Sequence, residues 1–109
     1  MDIKTLENIS INWENIPTEK ANGTTGFVLA KTVELPTFKI RQLSFSENYE
    51  ADHWCEKGHI IYVLKGTLII AYNDGTHITI STGNSLILGD NISSHKAKTE
   101  IQTQILIID

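Results

Sequence analysis

From Gly26 to its last residue, the chain is a series of short apolar runs separated by turn residues, and this spacing restricts the folds open to it. The runs include "GFVLAKTVEL", "TFKIRQLSFS", "GHIIYVLKG", "TLIIAY" and "QILIID". Their length and their content of β-branched and aromatic residues are typical of strands. No segment has the apolar stripe of a helix of three turns. The sequence therefore predicts an all-β protein.

The segment "AYNDGTHITI" is the clearest hairpin in the chain. Asn73, Asp74 and Gly75 are residue types that tolerate positive φ, and apolar and polar residues alternate again after them. Gly66, between "IIYVLK" and "TLIIAY", is predicted to form a bend or bulge. The final "KAKTEIQTQILIID" is predicted to form one or two strands joined near Glu100.

The organisation predicted from these patterns is an N-terminal arm, residues 1–24, followed by one β-domain, residues 25–109. The arm is mostly polar, with a few apolar anchors such as Trp13 and Ile16. We expect it to drape over one sheet. Farther on, "DHWC" is predicted to begin a new strand.

The composition excludes several classes of partner. The 109 residues carry a net charge of −4, so nucleic acid and anionic membranes are poor candidates. A single cysteine cannot form an internal disulfide, and the N-terminus lacks the basic start and apolar block of a signal peptide. The apolar runs are too short to span a bilayer. We therefore expect a soluble, cytoplasmic protein.

The stretch "ADHWCEKGHIIYVLKG" holds two of the four histidines and the only cysteine. If "DHWC" is a strand, His53 and Cys55 point to the same face, with Trp54 on the opposite one. A short turn then lets His59 return beside them. Imidazole nitrogen and thiolate sulfur suit Zn, Cu, Ni or Fe(II) better than Mg or Ca. This spacing alone leaves three readings open: a metal site, a reactive Cys55 thiolate beside a histidine, or buried structural residues.

The same stretch resembles the first motif of the cupin superfamily, G-x5-H-x-H-x3-E-x6-G. His53 stands at the first His, Cys55 at the second His and His59 at the Glu, and Gly66 is the closing glycine. Glu47 stands where the motif opens with Gly.

The second cupin motif, G-x5-P-x-G-x2-H-x3-N, is matched loosely by "GNSLILGDNISSHKAKT". Gly83 opens it, Gly89 replaces the Pro, Asn91 replaces the second Gly, and His95 arrives one residue late. The final Asn has no counterpart. "DHWC" followed by "KGH" also resembles a small group of single-domain cupins labelled by a DHCW motif, and that resemblance extends over nearly the whole chain.

The resemblance implies a single-domain cupin-type β-barrel, a double-stranded β-helix or jelly roll, with a metal inside its wide mouth. It implies four ligands, His53, Cys55, His59 and His95, in which a thiolate replaces the usual glutamate. This soft anion argues for a divalent transition metal, zinc first, with Ni, Fe or Cu as alternatives. A homodimer is expected, both from the resemblance and because a small barrel must cover its edge strands.

Three functions follow as hypotheses. The first is a metal-dependent enzyme of the dioxygenase or isomerase class that acts on a small molecule. The second is a non-catalytic module that binds or senses a small ligand, and the third is a barrel with a purely structural metal. Arg41 or Gln42 could orient a polar substrate, although a solvated role is also open. His77, after the hairpin, is expected to be exposed.

Overall fold

The computed structural model describes residues 1–109 and is built almost entirely of antiparallel strands. A 3-10 helix, Trp13–Asn15, lies in the N-terminal arm. Nine strands follow, in chain order β1 (Glu19–Asn22), β2 (Phe27–Glu34), β3 (Lys39–Phe45), β4 (His59–Lys65), β5 (Thr67–Tyr72), β6 (His77–Ser81), β7 (Ser85–Leu88), β8 (His95–Lys98) and β9 (Thr103–Ile108). The predicted all-β fold is confirmed. The molecule has no helix with the length and apolar character needed to cross a bilayer.

The strands form two sheets that face each other. Six strands have the order β1-β2-β3-β9-β4-β7, and three have the order β6-β5-β8. Side chains alternate across each strand, so one face of each sheet is buried between the two. The buried apolar side chains at its centre are Ile61 and Val63 of β4, Leu68 and Ile70 of β5, and Ile105 and Ile107 of β9.

Two predicted turns are confirmed. In the β5–β6 hairpin, Gly75 has φ +91°, and Asp74 Oδ1 accepts hydrogen bonds from the Thr76 amide at 2.9 Å and its hydroxyl at 2.6 Å. Gly66 has φ +83° and follows a register shift between Val63 and Lys65. A Cβ at Gly66 would lie 2.5 Å from a backbone oxygen of Gln102, so glycine is required there.

The N-terminal arm packs against the six-stranded sheet. Lys31 Nζ of β2 donates a hydrogen bond to the Trp13 carbonyl at 2.9 Å, and the Asp2 amide donates to Thr37 Oγ1 at 2.8 Å. Within the predicted 1–24 arm, the stretch 19–22 is β1, the edge strand paired with β2. The division into an arm and a barrel domain stays a prediction.

The prediction that "DHWC" begins a continuous strand is wrong. Glu50 pairs with Lys98, and Cys55 pairs with His95. Between these two pairings the 50–55 segment advances by five residues, whereas β8 advances by only three. The excess makes residues 52–54 bulge out of the ladder. We call this feature the 52–54 bulge. It interrupts the side-chain alternation that predicts His53 and Cys55 on the same face.

Candidate metal centre

Three of the four proposed ligands converge at one end of the barrel. The ligand atoms of Cys55, His59 and His95 all lie within 4.8 Å of one another. Cys55 Sγ is 3.8 Å from His59 Nε2, and the two imidazole rings meet edge to face with centroids 5.3 Å apart. His95 is 36 positions beyond His59 in the sequence, so only the fold brings them together.

The backbone explains this convergence. The amide of Cys55 donates to the His95 carbonyl at 2.8 Å, and the amide of His95 donates back to the Cys55 carbonyl at 2.9 Å. This pair fixes two ligand residues side by side. His59 begins β4 in the six-stranded sheet, whereas His95 begins β8 in the other, so the cluster spans the gap between the sheets.

His95 is the most informative member of the cluster. His95 is only 3% exposed, and neither nitrogen of its ring has a hydrogen-bond partner. Burial lowers the pKa of its imidazole. The nearby Ser93 backbone raises that pKa in part, although it does not form a hydrogen bond of good geometry with the ring. A buried polar group without a partner is rare and costly, so this ring is a strong candidate for a metal ligand.

His59 is held by a carboxylate. Its Nδ1 lies 2.8 Å from Asp109 Oδ2, on a carboxyl side chain that is only 1% exposed. Because an ionised carboxylate can only accept, Nδ1 carries the proton and Nε2 presents its lone pair to Cys55 and His95. Arg41 Nη2 donates to the same oxygen at 2.8 Å and holds the carboxylate in place. This is the arrangement that orients histidine ligands in metal sites.

The electrostatics keep the imidazole of His59 neutral. Burial lowers its pKa most; the charge and hydrogen bond of Asp109 raise it in part, and neighbouring His95 and Arg41 lower it further. The Cys55 sulfur accepts a hydrogen bond from the Lys57 amide at 3.4 Å. Neutral imidazoles and a thiolate are the forms that bind metal.

His53 lies outside this cluster. Its side chain is 78% exposed, and its Nδ1 contacts Asp52 Oδ1 at 2.7 Å on the 52–54 bulge. It lies at the mouth of the cavity described below. Of the other residues considered, His77 is exposed as predicted, and Trp54 packs its ring under the Lys96 ammonium, 4.5 Å from the centroid.

Asp109 is the functional residue that sequence reasoning missed. The alternation of β9 gives a signal for it, because Thr103, Ile105 and Ile107 are buried and Asp109 has the same parity. Arg41 likewise shares the parity of buried Leu43 and Phe45 on β3. Alternation thus places a carboxylate and a guanidinium on neighbouring strands, pointing into the barrel.

A cavity of about 290 Å³ runs from this cluster into the barrel, and 14 of its 19 lining residues are hydrophobic. Arg41, His53, Cys55, His59 and His95 line it together with core side chains. Most of the wall is therefore apolar, and its polar members include Arg41 and the three clustered side chains.

The residues fit a transition metal. One sulfur and two imidazole nitrogens form a donor set that suits Zn, Ni, Cu or Fe(II). A metal between the three side chains would give one of the two unpartnered His95 nitrogens a partner, and it fits the carboxylate that orients His59. Three protein ligands leave at least one coordination position open.

Comparisons with known proteins identify the fold. No protein-family model and no curated protein matches this sequence. Among solved structures, a predicted oxalate decarboxylase from Thermotoga maritima superposes with a TM-score of 0.77 at 13% identity, covering 92% of this chain and 96% of that one. The ectoine synthase of P. lautus gives 0.73 at 15% identity, covering 93% and 76%. A cupin-2 domain protein from Shewanella frigidimarina gives 0.60 at 21% identity, covering 73% and 78%.

The chain therefore has the cupin fold, as the two sequence motifs implied. At these identities the likeness defines the fold alone. The narrower resemblance to cupins with a DHCW motif stays a prediction.

Proposed function

We propose that this protein is a metal-binding small cupin whose centre, formed by Cys55, His59 and His95, acts on or binds a small molecule. The observation that carries the proposal is His95, buried with both ring nitrogens unpartnered and facing a sulfur and a second imidazole. Zinc is the first candidate, with Ni, Fe and Cu as alternatives. A metal bound here would supply Lewis acidity to a coordinated oxygen.

The open coordination position and the adjoining cavity favour a working centre over a purely structural one. A closed structural zinc has four protein ligands, and the fourth ligand proposed from the sequence, His53, lies on the exposed bulge. Ectoine synthase and the predicted oxalate decarboxylase, which share the fold, carry names of enzymes. We therefore propose an enzyme of the dioxygenase or isomerase class, in a soluble, cytoplasmic homodimer. The alternative is a non-catalytic small-ligand module.

The first experiment measures metal. Protein expressed in defined medium is analysed for bound metals, and the metal-free protein is titrated with Zn(II) and Co(II). We expect one metal per chain and, with Co(II), a thiolate-to-metal charge-transfer band that Cys55→Ser removes. Failure of the purified protein to retain or take up any of these metals contradicts the proposal.

A second experiment tests the ligand set and the class of activity. His95→Ala should abolish tight binding, whereas His53→Ala should retain it if three side chains suffice; a loss in both would support the four-ligand set. A dioxygen-uptake screen on iron-loaded protein then distinguishes an oxygenase from a binding module.

A further inference from the structure

We infer that the barrel cavity binds a small apolar monoanion, with its charged head between the metal and Arg41 and its apolar body among the core side chains. This inference rests on the proposed metal centre, and it specifies the chemical class of the molecule that the centre receives.

The size of the cavity sets the size of the ligand. An apolar protein cavity of about 150 Å³ accommodates benzene, and this cavity, at about 290 Å³, is roughly twice that volume. A ring of that size joined to a short side chain therefore fits. The deep walls are apolar side chains such as Leu68, Ile70 and Ile105, which offer no hydrogen bond to a polar body. A sugar or a polyol would lose its hydration there without compensation.

The charge of the chamber sets the charge of the ligand. A divalent metal with one thiolate and two neutral imidazoles has a net charge of +1. The guanidinium of Arg41 and the carboxylate of Asp109 cancel each other. The ammonium of Lys96 is paired at 2.9 Å with Glu50, whose other oxygen contacts the exposed Lys98 ammonium at 3.5 Å. One positive charge thus remains uncompensated in an apolar enclosure, and a single negative charge on the ligand neutralises it.

The geometry supplies a second contact for that charge. Arg41 Nη2 donates to Asp109, whereas Arg41 Nε is buried and has no hydrogen-bond partner. Arg41 lines the same cavity as the three clustered side chains, and it shares the carboxylate oxygen of Asp109 with His59. A carboxylate has two oxygens, so it can bind the metal with one and accept from Arg41 with the other.

The test uses 3-phenylpropanoate as the probe, titrated into the metal-loaded protein by calorimetry, with the Co(II) spectrum as a second readout of coordination. We expect binding at one per chain with a change in the Co(II) bands. Acetate, which lacks the apolar body, and 3-phenylpropanol, which lacks the charge, should each bind at least about tenfold more weakly, the loss expected for one major contact.

Two alanine-to-leucine variants locate the probe. Ala30 of β2 lines the cavity, so Ala30→Leu fills part of it, whereas Ala71 of β5 lines an outer groove and Ala71→Leu is the matched control. We expect Ala30→Leu to lose the probe while it keeps its metal and its far-UV spectrum, and Ala71→Leu to bind as the unmodified protein does. Arg41→Gln, compared at the same bound metal content because Arg41 also contacts Asp109, should weaken binding of 3-phenylpropanoate without affecting that of 3-phenylpropanol.

The outcomes separate the two proposals. A protein that takes up no metal contradicts the proposed function. A protein that holds one metal per chain but binds no 3-phenylpropanoate contradicts only the cavity inference. Equal affinity for acetate and 3-phenylpropanoate, or equal binding by the two leucine variants, also overturns it.

Discussion

The carboxylate of Asp109 should control metal affinity although it does not reach the metal itself. Its Oδ2 accepts from His59 Nδ1 and from Arg41 Nη2, each at 2.8 Å, on a side chain that is 1% exposed. Asp109→Asn removes the negative charge. A carbonyl oxygen in place of Oδ2 can still accept from both donors, but as a neutral and weaker acceptor. The Nδ1 proton and the orientation of the His59 ring are then fixed less strongly.

The magnitude follows from these two contacts. Loss of the group that orients a metal-bound histidine typically lowers metal affinity by about 10- to 100-fold. A hydrogen bond to a charged group contributes about 1.5–3 kcal/mol. Because asparagine can keep both contacts but loses the charge that strengthens them, we expect the free energy of unfolding of the metal-free protein to fall by about 2 kcal/mol.

The assay is a competition titration of Zn(II) against a chromophoric chelator, together with urea unfolding of the metal-free protein. Asp52→Asn is the matched control, because Asp52 makes the same kind of contact with His53 at 2.7 Å but on the exposed bulge. We expect it to leave Zn(II) affinity unchanged. Equal Zn(II) affinities for Asp109→Asn and the unmodified protein would refute the orienting role. A loss in Asp52→Asn as large as in Asp109→Asn would restore His53 as a ligand.

Three further predictions use simpler readouts. His59→Ala should lower Zn(II) affinity sharply in the same titration and His77→Ala should not; equal retention would contradict the site. Leu68→Ala, at a side chain that is 0% exposed, should cost about 2–5 kcal/mol in urea unfolding, whereas Ile87→Ala, at a residue 74% exposed, should change it by less than about 0.5 kcal/mol. Burial is the main cause that raises the pKa of Tyr49 above 10.0, so the folded state keeps a proton that the unfolded state loses. The free energy of unfolding should therefore fall as the pH rises above 10.0, and Tyr49→Phe should flatten that decline; identical pH profiles would disprove it.

Local signals in the sequence were sufficient to predict the all-β class and two of the turns, whereas the cupin-type architecture was predicted from the resemblance to cupins. The hairpin at Asn73–Gly75 and the bend at Gly66 follow from turn chemistry that involves few residues, and both are present. The prediction failed at residues 52–54, where alternation depends on an uninterrupted partner strand. Whether two strands keep equal length between two pairings is a property of the whole barrel, and no local pattern reports it.

The residues of the candidate site also differ in how far local sequence predicts them. Spacing predicts His53, Cys55 and His59 as one group, and the structure brings together only the last two. The strand geometry used to connect His53 with Cys55 was wrong. His95 was placed only through the resemblance to cupins, because nothing local links it to residues so distant in sequence. Asp109 and Arg41 share the parity of buried neighbours, but that parity alone does not predict their burial, because a charged residue on a strand is more often solvated than buried.

The 52–54 bulge makes the entrance of the cavity structurally independent of the candidate metal-binding residues. Residues 52–54 take no part in the backbone hydrogen bonds of this segment. Ala51 before them and Cys55 after them are each hydrogen-bonded to β8. Residues can therefore be exchanged or inserted here without moving the cysteine, and each doubling of a loop's length costs only about 0.6 kcal/mol. Selection can thus vary the entrance, and so the set of molecules admitted, while the metal centre stays the same.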